Sequence, residues 1–270
     1  MTAALDSASP ARRTRRRSSD ATVSAIATAG LLVALVVVLQ VGAAAKWWSS
    51  AILPAPTAVA RSAWDLLATG QFWSDVGRTS FEIIMSLIIG LGLGLLLALG
   101  FWKAPYIGRV LEPYLMAFYA VPLVLFYPVM MVLVGINAWS VIVLASIMAL
   151  IPMAVNCWVG LAGIPPVYLR LARSVRCTPL QTLWRIALPA AAPFIMAGLR
   201  LGTVYALIGA IAMEFTTAQA GMGYRIRYLY EYYSTVQMYA YIVVVLIVSM
   251  ILTGALVAAE RSLLSRRGNR

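Results

Sequence analysis

The sequence predicts an all-α integral membrane protein of six transmembrane helices. Three observations lead there. Hydrophobic residues are 62% of the 270 and charged residues only 11%, against roughly 45–50% and 25% in soluble domains. Mean hydropathy is +0.88, and so few charges could not cover a soluble surface. The apolar residues also gather into six long runs, near 23–44, 79–101, 113–134, 139–161, 190–213 and 238–259. Each is long enough for a hydrocarbon core of about 30 Å, which takes about 20 helical residues. None alternates with period two, so spanning strands are excluded.

In chain order, residues 1–20 are polar, carry Arg12, Arg13, Arg15, Arg16 and Arg17, and read as a disordered basic tail. The first run follows. A cleaved signal peptide is its rival reading, since Ala43 and Ala45 resemble an A-x-A site, but the run exceeds the roughly 7–15 residues of a signal core. A retained helix is therefore expected. Residues 46–78 open on Leu53-Pro-Ala-Pro-Thr-Ala-Val59, whose prolines stop a helix leaving the membrane. Val59, Ala63, Leu66 and Leu67 then recur at helical spacing with Arg61, Ser62 and Asp65 opposite. Either a helix lying on the membrane surface or a solvated connection fits. Gly90, Gly92 and Gly94 form a small-residue stripe suited to close helix packing. Pro122, Pro128 and Pro152 should break or kink their spans.

The connection 163–188 is the second long one. Pro165-Pro166 ends the fourth span, and Val167–Val175 can form a short helix with Leu171 and Val175 on one side. Thr178-Pro179 reads as an N-cap followed by proline at N1, starting a helix that runs to Leu188-Pro189. After the fifth span comes a cluster of Tyr224, Tyr228, Tyr230, Tyr232 and Tyr233. It fits an interfacial aromatic belt or a docking surface. Residues 263–270 form a short basic tail.

Net charge is +12. In a soluble chain this would suggest nucleic acid; here the cations flank the apolar runs and report orientation. With the N-terminus inside, 15 Lys and Arg fall on the cytoplasmic side and 5 outside, with Arg200 inside a span. Both termini are therefore expected in the cytoplasm. There is no His, which excludes imidazole metal sites and Ser-His-Asp or Cys-His catalysis. Cys157 and Cys177 cannot make a disulfide framework. The sequence has no G-x-S-x-G and no P-loop. No paired carboxylates are expected within the spans: Glu82 and Glu214 sit near outer span ends, and Glu214 is expected to pair with Arg225 or Arg227. An enzyme is not expected, and no metal site or resident cofactor.

Arg200 lies halfway along the fifth span. An intramembrane cation is costly and usually functional, so it faces a translocation path, forms a structural pair with a neighbouring span, or snorkels to the membrane surface. A self-contained channel or secondary transporter is the alternative reading of the whole chain. It lacks a visible inverted repeat and carboxylates for ion coupling.

The stretch from Leu169 to Ile226 carries a resemblance. Ala172 and Ile186-Ala-Leu188-Pro189 match the "EAA" signature, Glu-Ala-Ala, three residues, Gly, nine residues, Ile-x-Leu-Pro. Ala190-Ala-Ala-Pro193, Gly198-Leu-Arg200, Glu214-Phe215 and Gln219-Ala-Gly221-Met-Gly223-Tyr224 support it, as do Leu53-Pro-x-Pro-x-x-Val59 and Ala120-Val-Pro122. The chain resembles, over roughly residues 50–262, the permease subunits of type I ABC importers, and more closely the nitrate/sulfonate/taurine branch. In this sequence the signature Glu falls on Arg170, the first Ala on Leu171 and the Gly on Arg176.

The resemblance implies a multi-pass permease of a bacterial cell (plasma) membrane with the type I importer fold. It implies binding-protein-dependent import of a small solute, in this branch an organic or inorganic anion. It also implies partners: an ABC ATPase that binds the ATP, an extracytoplasmic substrate-binding protein, and a second permease subunit, same or homologous. The cytoplasmic coupling helix would place Tyr168, Arg170, Leu171, Ala172, Arg173, Val175, Arg176 and Cys177 at the ATPase contact, with Arg200 and Pro122 on the translocation path.

Overall fold

The computed structural model describes residues 11–216 and 218–268, side chains excepted for 11–22, 24, 25, 256 and 259–268. The described residues hold helices and no strand. They divide into two compact units, one up to Ser62 and one from Ala63 onward.

In the first unit, α1 spans Ala11–Ala44. The expected tail is thus helical from residue 11, and residues 1–10 lie outside the described residues. The described apolar side chains from Val23 to Val38 are exposed, as a helix surrounded by lipid requires. Ile26–Ala44 is long and apolar enough to cross a membrane. The helix ends in a Schellman cap. The Trp47 N–H donates to the Gly42 carbonyl at 3.0 Å and the Lys46 N–H to Ala43 at 3.3 Å, while Lys46 takes a left-handed φ of 56°. Trp48 then folds back over Gly42, and α2 (Pro56–Leu66) begins where the Thr57 N–H donates to Gln40 at 3.2 Å.

The second unit is built around α6 (Ala138–Ala162), which begins at the side-chain cap of Asn137 and is its most buried span. α3 (Gly70–Lys103) runs parallel to α6, and α9 (Leu188–Thr216) runs antiparallel on it. Glycine allows the close approach. A Cβ at Gly90 or Gly94 would press on the backbone of Ser146 or Leu150, at 2.5 and 2.7 Å. Gly92, third of the expected stripe, has nothing within 4 Å, because helical spacing turns it away from α6. On the other flank Gly198 and Gly202 meet Met153 and Ala149 of α6. Cores form at both ends of this layer. One joins Phe101, Trp158, Leu161 and Ala187; another joins Ile83, Tyr127, Leu144 and Met213.

The third expected span is not a straight helix. α4 (Pro105–Ala120) stops at Val121-Pro122. A 3₁₀ turn at Leu123–Phe126 then leads into α5 (Tyr127–Val134), and the two halves are bent by 84°. Proline lacks the N–H that would continue α4, and it disfavours helical backbone at Val121. Among the described residues, five helices are therefore long and apolar enough to span, or six if the bent pair is one span.

After α6 come α7 (Pro166–Ser174) and α8 (Pro179–Thr182), the latter opened by a capping box of Thr178 with Gln181. The helix expected to stop at Leu188-Pro189 continues instead into α9. A π-turn at Leu183–Ala187 widens the helix just before Pro189 and accommodates its missing N–H. α10 (Met222–Glu231) follows, then α11 (Thr235–Gly268), whose Thr235–Ala255 segment is the last apolar span. Residues 269–270 of the expected tail lie outside the described residues.

Candidate functional sites at the two ends of the bundle

At one end, α7 packs on the π-turn, with Leu169 against the core that holds Leu183 and Ala187, and its Ala172 is 1% exposed. Ala172 thus faces its own chain. Tyr168, Leu171 and Val175 are about half exposed or more, and Arg170, Arg173 and Arg176 are exposed; Cys177 is half-buried. The structure therefore gathers seven of the eight expected coupling residues around the open side of one short helix and its cap, and turns Ala172 inward. Beside α7 lies a cavity of about 790 Å³ lined by Trp102, Arg109, Glu112, Trp158 and Leu169. Trp158 donates to Glu112 across it at 2.9 Å.

The signature glycine position is held by Arg176 without loss of the turn. Arg176 has φ 52°. Its N–H donates to the Arg173 carbonyl at 3.0 Å, and the Cys177 N–H donates to Ala172 at 2.9 Å. These are the two bonds of a Schellman cap, whose left-handed position favours glycine because a Cβ crowds the backbone there.

Arg200 lies on the side of α9 that α6 leaves uncovered. Arg200, Val204, Ile208, Ile211 and Phe215 recur along it, all exposed or half-exposed. The last four line a groove of about 650 Å³ closed on its far side by Ser249 and Thr253 of α11. Pro122 sits at the break of the bent span, exposed. Beside this break Tyr119 meets Tyr205 of α9 edge-on at 4.9 Å, and Val124 and Tyr127 pack with Leu207 and Ala210 of α9.

The opposite end holds a polar network that the sequence reading missed. Asp75 accepts from Gln71 at 3.1 Å, Arg225 at 2.9 Å and the Tyr241 hydroxyl at 3.1 Å, tying α3 to α10 and α11. Burial pulls the Arg225 pKa down, but the bond to Asp75 and its charge outweigh this and raise it overall. One turn along α3, the Thr79 hydroxyl donates to Glu214 at 2.7 Å and accepts the Met222 N–H at 2.8 Å. Glu214 also takes the Gly223 N–H at 2.8 Å, so it caps the start of α10. A Cβ at Gly221, with φ 104°, would collide with that carboxyl group.

Glu214 therefore does not pair with Arg225 or Arg227. Arg227 reaches Glu231 at 3.8 Å and the carbonyls of Thr216 and Ala218. Glu82 is bound by Arg78 at 2.5 Å, and its carboxyl group adjoins that of Glu214. Its Oε2 is buried without a hydrogen-bond partner. The spans do hold a carboxylate pair, contrary to expectation. The signal was present: Asp75, Thr79, Glu82, Ser86, Gly90 and Gly94 recur every three or four residues along one face of α3. Around this network α10 seats Met222, Ile226 and Leu229 on Phe72 and Tyr241. Tyr228 packs beside this core and meets Tyr224 and Tyr232 at 6.1 and 4.5 Å, while Tyr230, Tyr232 and Tyr233 are exposed.

Comparison with known proteins bears on both ends. Residues 90–267 match the family described as "Binding-protein-dependent transport system inner membrane component". A probable ABC transporter permease protein of Haemophilus influenzae is 32% identical over 174 residues, covering 64% of this chain and 70% of that one. The putative aliphatic sulfonates transport permease protein SsuC of Escherichia coli is 29% identical over 236 residues, covering 87% and 88%. The taurine transport system permease protein TauC of Escherichia coli is 26% identical over 230 residues, covering 80% and 84%. Among solved structures, the inward-facing MetNI methionine ABC transporter shares the fold. Its TM-score is 0.52 at 22% identity, over 78% of this chain and 96% of the other. With the C-terminal part of α3 and the helices after it inside the matched region, the chain belongs to the binding-protein-dependent transport system inner membrane component family and is a multi-pass permease subunit of an ABC importer.

Proposed function

We propose that this permease forms half of the translocation path for a small organic anion of the sulfonate class in a bacterial plasma membrane. A separate ATPase binds the ATP and drives it, an extracytoplasmic binding protein loads it, and a second permease subunit, same or homologous, completes the path. The observation that carries the reading is α7. It is a short helix between two spans, seated on its own chain by Ala172 and leaving Tyr168, Leu171, Val175 and three arginines open. An ATPase that grips this face and closes on ATP would move the π-turn and α9 with it. The sulfonate class is supported by the names of the Escherichia coli relatives and by Arg200, whose charge persists at any physiological pH. On this reading Arg200 and the Pro122 break line the path, and the remaining cofactor chemistry is the ATPase's.

One preparation tests it: the complex purified from native membranes through a tag on this chain and reconstituted in vesicles with radiolabelled taurine. Single cysteines at Tyr168, Leu171 and Val175 should crosslink to a P-loop ATPase. Arg200→Ala should abolish ATP-driven uptake at unchanged complex yield, with partial uptake in Arg200→Lys. Crosslinks from residues 102–110 instead of α7 would refute the coupling assignment. Full uptake by Arg200→Ala would remove Arg200 from the path.

A further inference from the structure

Arg176 is held in a backbone conformation that glycine would adopt without strain. Strain alone does not single it out, because Lys46 and Tyr233 occupy the same position in two other Schellman caps of this chain. Its charge setting does. Residues 163–188 contain Arg170, Arg173, Arg176 and Arg185 and no acidic residue. All four are exposed, and none forms an ion pair among the described residues. Arg170, Arg173 and Arg176 follow one another at intervals of three, so like charges stack along one edge of a nine-residue helix and its cap. Such a row repels itself until a partner supplies carboxylates. Arg176 stands past the last helical turn, outside the lean of helical side chains toward the N-terminus. Its guanidinium therefore offers donors beyond the end of α7, where a groove gripping the helix would have its rim.

We infer that Arg176 is a partner-selecting residue: it matches this permease to an ATPase whose docking groove carries an acidic side chain at the rim, and the left-handed backbone is kept for that contact. The inference rests on the reading that α7 docks on an ATPase. The competing role is local, a cation serving the carbonyls at the C-terminus of α7.

The two roles separate by experiment. The permease is placed in nanodiscs and titrated with the P-loop ATPase that copurifies with the wild-type chain, at low and high salt. The melting temperature of the ATPase-free permease is measured alongside. Arg176→Gly should raise the melting temperature by roughly 2–4 °C as the strain is relieved. It should also weaken ATPase binding about tenfold, the size of one charge-assisted hydrogen bond lost from an interface, and flatten its salt dependence. Arg176→Lys should stay near wild type in both. Unchanged ATPase affinity in Arg176→Gly overturns the inference and leaves docking by α7 intact. If no P-loop ATPase accompanies the wild-type chain, the docking reading falls, and the inference with it.

Discussion

At the α10 end, Asp75 gathers donors from α3, α10 and α11, and Glu214 gathers the Thr79 hydroxyl and the Gly223 N–H. At the α7 end, four arginines face outward with no acidic residue in the same segment. Both ends are connections between spans of similar hydropathy, yet one resolves its polar groups within the chain, Glu82 Oε2 excepted, and the other leaves them open. A charge satisfied internally fixes the elements it joins, since opening the contact would strand it in a low-dielectric site. A charge left at the surface fixes nothing and is available to another molecule. The α10 end is thus built as the rigid end of the bundle, and the α7 end as the end that a partner completes.

The largest expected effect breaks the rigid end. Asp75→Ala removes the shared acceptor of Gln71, Arg225 and Tyr241 and strands a mostly buried guanidinium, which costs roughly 3–5 kcal/mol where a buried pair loses one partner. The variant should lose most of its folded yield in detergent, read by size-exclusion chromatography. Near-normal yield and melting temperature would mean that this end is not held by its polar network.

A middle-sized effect is expected from Ala172→Glu. Ala172 is buried against the chain itself, so the new carboxylate has no place unless α7 lifts off the π-turn, at a cost of about 1–3 kcal/mol for an unsatisfied buried polar group. The bundle should still insert and assemble, while ATP hydrolysis by the copurified complex loses its dependence on loaded binding protein. Loss of insertion would show that α7 is as integral to the fold as α10.

The smallest effect sharpens the comparison at mid-bundle, where packing rather than charge is at stake. Gly92→Ala should stabilise by about 0.5–1 kcal/mol, because Gly92 has nothing within 4 Å and alanine suits a helix interior better. Gly90→Ala should destabilise instead, since its Cβ would press on the Ser146 carbonyl at 2.5 Å. Thermal melting of the two variants side by side decides it; equal shifts would contradict the seam between α3 and α6.

The class and the course of the chain are legible in local signals. Apolar runs of membrane-spanning length, too few charges for a soluble surface, and the cap at Thr178-Pro179 placed the helices, because those signals act within a few residues. The motif from Ala172 to Tyr224 identified the permease family. Pro122 marked the broken span, since a missing N–H is a local property. The partners of the charges come from the packing of distant helices. Glu214 was expected to pair with the nearby Arg225 or Arg227, yet it binds Thr79, 135 residues away, and Asp75 binds Arg225, 150 residues away. Which side of α7 faces inward was likewise invisible, because Leu171 is the more apolar of two neighbouring apolar residues, yet Ala172 is the buried one and Leu171 stays open. Pro189 stood in a helix that runs on through it, because the widened turn before it supplied what local propensity denied. Spans and caps follow from interactions along the chain; polar partners and exposed faces follow from which helices come together, and that is settled by the fit of Gly90, Gly94, Gly198 and Gly202 against α6.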